Sequence, residues 1–164
     1  AYAVATNGTL AYLRASEWSS DYTLVWRDRA GHDTELIENP GPYSEPRLSP
    51  DGRWIALTYN RPKRDLWLYD VKRGTPMRLT FDSASSGGGV WSPDGKDVVF
   101  TASRNGALGR LYRRPITGSG SDELLSNMDG STPSDWSPDG RFILFHSNNN
   151  LDQGNIDQRN GYDL

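Results

Sequence analysis

The sequence predicts an all-β protein, a partial β-propeller of about three and a half four-stranded blades. Three observations carry this. The tetrapeptide Ser-Pro-Asp-Gly occurs at 49–52, 92–95 and 137–140, spaced by 43 and 45 residues, and a degenerate copy, Ala5-Thr6-Asn7-Gly8, stands 44 residues before the first. Between successive copies lie four short runs of apolar or alternating character, which read as strands. The composition, with 17 Gly and 10 Pro in 164 residues, supplies many turns. No segment sustains a helical apolar period between them.

The turn has a local mechanism. Pro sets φ at the first central position, Asp bonds nearby backbone, and Gly accepts the positive φ that closes a hairpin between two antiparallel strands. Before each turn a short strand ends in Val4, Leu48, Trp91 or Trp136. After it the second strands run over 10–13, 54–58, 98–101 and 142–145. Third strands follow at 22–26, 65–69 and 110–113, and fourth strands at 34–37, 76–80 and 122–125. The blades are thus expected over 1–38, 43–80 and 87–126, with an incomplete blade over 131–164. Apolar residues on both faces of these strands suit blades packed between two neighbours, with the recurrent Trp and Tyr as interblade filling. A β-sandwich with similar hairpins is the alternative, and repeated tetrapeptides in register disfavour it.

The segments Pro46-Arg47-Leu48-Ser49-Pro50-Asp51-Gly52, Trp54-Ile55-Ala56-Leu57, Asp65-Leu66-Trp67-Leu68-Tyr69-Asp70 and Arg78-Leu79-Thr80 together resemble the TolB-like (WD40-like) propeller repeat. Similar repeats occur in sensor regions of bacterial Ser/Thr kinases and in the propeller that caps prolyl-oligopeptidase-type peptidases. The resemblance implies a bacterial binding module in a periplasmic or extracytoplasmic setting. Gly31-His32 and Asp135-Trp136 do not recur at the blade period, so the Gly-His and Trp-Asp pairing of WD repeats is absent.

Several function classes are disfavoured. The 18 basic residues face 21 acidic ones along the whole chain, so no concentrated basic face offers itself to nucleic acid. Without cysteine there are no disulfides or thiolate metal sites. The apolar stretches are too short to span a bilayer as helices, and Ala1 does not open a signal peptide. No Gly-x-Ser-x-Gly elbow is present, and Gly118-Ser119-Gly120-Ser121-Asp122 reads as a turn. His32 and His146 fall in blades at opposite ends of the run, with His146 the better placed for a functional role. No cofactor is expected. Asp51, Asp94 and Asp139 are read as turn residues, not as metal ligands.

Propeller ligands collect around the central channel, at the loops entering the innermost strand and between the second and third strands. On this chain the candidate binding residues there are Tyr43, Glu45, Arg47, Asp82, Asp129 and Asp135, with the Ser83-to-Gly89 segment read as a channel-mouth loop. Trp18, Arg61, Arg64 and Arg104 lie further out. The segment 148–157 is rich in oxygen donors; it reads as a polar surface loop, with Asp152, Asn155 and Asp157 as weak calcium candidates. The expected function is non-enzymatic binding of a protein or small ligand. The alternative is the gating propeller of a prolyl-oligopeptidase-type peptidase without its hydrolase domain. An incomplete ring leaves strand edges and interblade faces uncovered, so a fragment of a larger propeller or self-association, as a homodimer, is expected.

Overall fold

The computed structural model describes residues 2–5, 8–15, 21–37, 39–81, 84–118 and 120–148. Among the described residues, fourteen strands form four antiparallel sheets in chain order. The first sheet holds β1 (Tyr2–Val4), β2 (Leu10–Ala15), β3 (Tyr22–Arg27) and β4 (Asp33–Glu35). The second holds β5 (Tyr43–Leu48), β6 (Trp54–Tyr59), β7 (Asp65–Asp70) and β8 (Thr75–Arg78). The third holds β9 (Ser85–Trp91), β10 (Asp97–Ser103), β11 (Arg110–Pro115) and β12 (Glu123–Ser126), and the fourth pairs β13 (Ser131–Trp136) with β14 (Ile143–Ser147). Each sheet is a meander, and the first strands β1, β5, β9 and β13 neighbour one another in succession around a channel. The chain is a partial β-propeller.

The repeated turn closes by the same bonds in all three copies. Ser49 Oγ donates to Asp51 Oδ1 at 2.6 Å and accepts from Trp54 N at 2.9 Å, while Asp51 Oδ1 accepts from Arg53 N at 3.0 Å. Ser92, Asp94, Lys96 and Asp97 repeat this set, as do Ser137, Asp139, Arg141 and Phe142. Gly52, Gly95 and Gly140 take φ of 71°, 69° and 77°, a region that Gly enters without steric cost. The hydroxyl donated by Ser49, Ser92 or Ser137 is the largest influence holding Asp51, Asp94 and Asp139 below the usual carboxylate range. The aspartates are therefore occupied in the hairpin.

The core lies between blades. Leu24 of the first sheet packs with Ile55, Leu57 and Tyr69 of the second. The opposite face of the second sheet, with Ala56, Leu66 and Leu68, packs on Trp91, Val98, Phe100 and Ala102 of the third. Val90 and Val99 then meet Trp136 of the fourth. Successive residues of β6 thus serve two interfaces, as the alternation of a strand requires. Trp91 also donates from Nε1 to the Arg47 carbonyl at 2.9 Å, tying the inner strands of neighbouring blades. Asp65, buried at the start of β7, accepts from Arg78 Nη2 at 2.8 Å, and Thr80 Oγ1 accepts from Leu66 N at 2.9 Å. These bonds give the Arg78-Leu79-Thr80 motif its task of holding the outer strand to β7.

Three expectations are corrected. Residues 85–89 form a strand, not part of a loop, because Gly87 and Gly89 are buried against the second blade. A Cβ on Gly89 would lie 2.9 Å from Leu66 Cδ1 and 3.1 Å from Val98 Cγ1. Likewise, Tyr43, Glu45, Arg47 and Asp135 stand on inner strands and not in the loops that enter them. The fourth strands also differ from 34–37, 76–80 and 122–125, ending at Glu35 and Arg78 and starting at Glu123, since ladder pairing and not apolar pattern sets their ends.

Candidate binding site in the central channel

All four inner strands contribute to one cavity of about 600 Å³. Its wall is formed by Val4, Val90, Trp91 and Trp136 together with the Pro50, Pro93 and Pro138 turns, and its charged residues are Arg47, Asp51 and Asp135. Arg47 is exposed, and its bond within the chain runs from Nη1 to the Pro46 carbonyl at 3.3 Å. Asp135 is exposed and accepts from Trp136 N at 2.8 Å. Among the described residues neither has a side-chain ion-pair partner. An uncompensated guanidinium and an uncompensated carboxylate therefore share a channel walled by aromatic, valine and proline side chains and by polar groups in comparable measure, a composition suited to a ligand that carries both apolar and polar groups.

A second cavity of about 240 Å³ adjoins the first through Arg47, Val90 and Ser134, which line both. Glu45, Gly88, Gly89, Thr132, Pro133 and His146 complete it. Glu45 has φ of 54° and sits where the register of β5 against β6 shifts between Ser44 and Arg47. The third blade has the same irregularity between Val99 and Thr101, and there Gly88 takes φ of 69°. A left-handed residue without Gly carries strain of about 1–2 kcal/mol. Three donors to Glu45 Oε2 oppose it: Thr58 Oγ1 at 2.7 Å, Arg64 Nη2 at 2.8 Å and Gly88 N at 2.9 Å. Glu45 thus acts as a clasp between the second and third blades.

Of the remaining candidates, Tyr43 turns away from the channel. It lines a cleft of about 710 Å³ between the first two blades, edge-on to Tyr59 with ring centroids 5.6 Å apart. Asp129 pairs with Arg110 Nε at 2.6 Å and lines neither channel cavity. Asp82, Trp18, Asp152, Asn155 and Asp157 lie outside the described residues. His32 is exposed and lies 3.0 Å from Asp28 Oδ2, far along the chain from the channel strands. Asp28 itself is held below its usual range, chiefly by the backbone N–H of His32.

Ser134 and His146 are functional candidates that only the geometry unites. Ser134 Oγ lies 3.5 Å from His146 Nδ1, beyond the ~2.6–3.2 Å reach of a nucleophile and its base. No carboxylate orients the other ring nitrogen among the described residues, so a triad is not assembled. The described residues also hold no group of three or more His, Asp or Glu side chains disposed to bind a metal.

Residues 5–160 match the family model described as PD40, TolB beta propeller domain. Among curated proteins, the chain is similar to the Tol-Pal system protein TolB of Anaeromyxobacter dehalogenans, with 33% identity over 108 residues, 65% of this chain and 24% of that protein. It is also similar to the uncharacterized peptidase YuxL of Bacillus subtilis, with 29% identity over 88 residues, 49% of this chain and 13% of that protein. The chain spans about a quarter or less of the curated relatives it matches. Among solved structures, a putative TolB from Agrobacterium tumefaciens superposes with a TM-score of 0.77 at 23% identity, covering 92% of this chain and 55% of that one. That superposition establishes the common fold.

Proposed function

The chain belongs to the TolB β-propeller domain family, and on that premise we propose that it is a non-enzymatic binding module that takes a segment of a protein partner in its central channel. The observation that carries this reading is the channel itself, where Arg47 and Asp135 stand beside Val90, Trp91 and Trp136 without an ion-pair partner among the described residues. An extended peptide offers alternating apolar and charged side chains at matching intervals, and aromatic walls supply anchoring area. The relatives named as Tol-Pal system proteins are, by that name, members of a protein system, which supports a protein partner over a small ligand. Selection of short random peptides displayed against the purified chain tests the proposal. Enriched peptides should bind the wild type and lose binding to Ser134→Trp, because Ser134 is exposed and lines both cavities.

A second reading, the gating propeller of a prolyl-oligopeptidase-type peptidase, draws support from the similarity to the uncharacterized peptidase of B. subtilis. A hydrolase region encoded downstream in the same gene would favour it. We also propose self-association through exposed apolar residues, Tyr2 and Val4 on β1, Phe142 just before β14 and Leu144 on it.

A further inference from the structure

The smaller cavity has an unbalanced charge. Its titratable lining residues are Glu45 and Arg47 on β5 and His146 on β14, with Gly88, Gly89 and Val90 of β9 and Thr132, Pro133 and Ser134 of β13 facing them. The Glu45 carboxylate is already satisfied by Thr58, Arg64 and Gly88, and the Arg64 guanidinium offsets its charge. Arg47 has no such counterpart among the described residues. Thr132, Ser134 and His146 line the same space, beside the buried Val90 and Pro133. A single forked cation with neighbouring hydroxyl-bearing residues matches one planar carboxylate.

Resting on the channel-binding reading above, we infer that this cavity is a seat for one carboxylate of the bound segment, an Asp or Glu side chain or a chain terminus, held by Arg47 with Ser134 and His146 beside it.

The test is an amide chemical-shift titration of the isotope-labelled chain with N-acetyl-aspartate amide, N-acetyl-asparagine amide and inorganic phosphate. The aspartate compound is expected to move the amides of Gly88, Gly89 and Ser134 and the His146 ring signals, with the asparagine compound and phosphate at least about tenfold weaker. Arg47→Gln should weaken the aspartate compound about tenfold without unfolding the chain, since the Arg47 side chain is exposed and, among the described residues, bonds the neighbouring Pro46 carbonyl alone. Equal binding of the asparagine compound or phosphate, or an Arg47→Gln chain that binds as the wild type does, overturns the inference. Selected peptides that need the channel but carry no acidic residue and ignore Arg47→Gln also overturn it, while leaving the channel-binding reading intact. Absence of any channel-dependent peptide overturns that broader reading and this inference with it.

Discussion

Replacing Glu45 separates two opposing energies at the junction of the second and third blades. Glu45→Ala removes the acceptor of Thr58 Oγ1, a hydroxyl on a residue with no exposed surface, and orphaning such a donor costs about 1–3 kcal/mol. It also removes the Arg64 pair, which is 46% and 39% exposed at its two ends and so contributes under about 1 kcal/mol. Gly88 N retains Thr58 Oγ1 at 3.1 Å as an acceptor. The expected loss is about 2–3 kcal/mol, or about 4–10 °C in Tm for a domain of this size. Glu45→Gly loses the same bonds but relieves the strain of φ 54°, so it should be about 1 kcal/mol more stable than Glu45→Ala. Urea unfolding with unchanged m-values reads both differences. A Gly variant no more stable than the Ala variant refutes the strain, and an Ala variant within about 0.5 kcal/mol of wild type refutes the clasp.

Gly89→Ala drives a methyl against Leu66 and Val98, both wholly buried, and should cost about 1–3 kcal/mol by urea midpoint. In the repeated turn, the folded carboxyls of Asp51, Asp94 and Asp139 are depressed, so their contribution is present above the unfolded value of about 3.9 and is lost as pH falls through the folded value. Ser92→Ala should therefore destabilise most at neutral pH, with the gap from wild type closing below about pH 3 in acid titrations of stability. For self-association, light scattering should show mass rising with concentration, and Leu144→Asp, at a residue 66% exposed, should suppress the rise; a constant monomer mass in the wild type removes that proposal.

What was legible in the sequence was what is settled locally. The Ser-Pro-Asp-Gly turn is closed by bonds among residues no more than five apart, so its residue types announce it. The glycines of β9 read as loop because the reason for them is distant: Leu66, Thr58 and Arg64 of another blade leave no room for a side chain. The channel residues were half legible for a related reason. Simple alternation would put Tyr43, Glu45 and Arg47 on one face, but the register shift at Glu45 resets the parity, sending Tyr43 to the interblade cleft and leaving Arg47 in the channel. Nothing in local pattern marks Glu45 for a left-handed conformation, since its compensating donors come from β6, the segment before β7, and β9. His146 stood out in the sequence and Ser134 did not, and it is strand pairing that brings the two to one cavity.

The central claim is that the channel binds a partner segment, and the most direct measurement is the affinity of a display-selected peptide for the wild type and for Ser134→Trp by calorimetry. The indole fills the space between the two cavities from an exposed position, so the fold and its unfolding midpoint should be retained while affinity falls at least about tenfold. Equal affinity for the two folded chains would contradict the channel as the binding site.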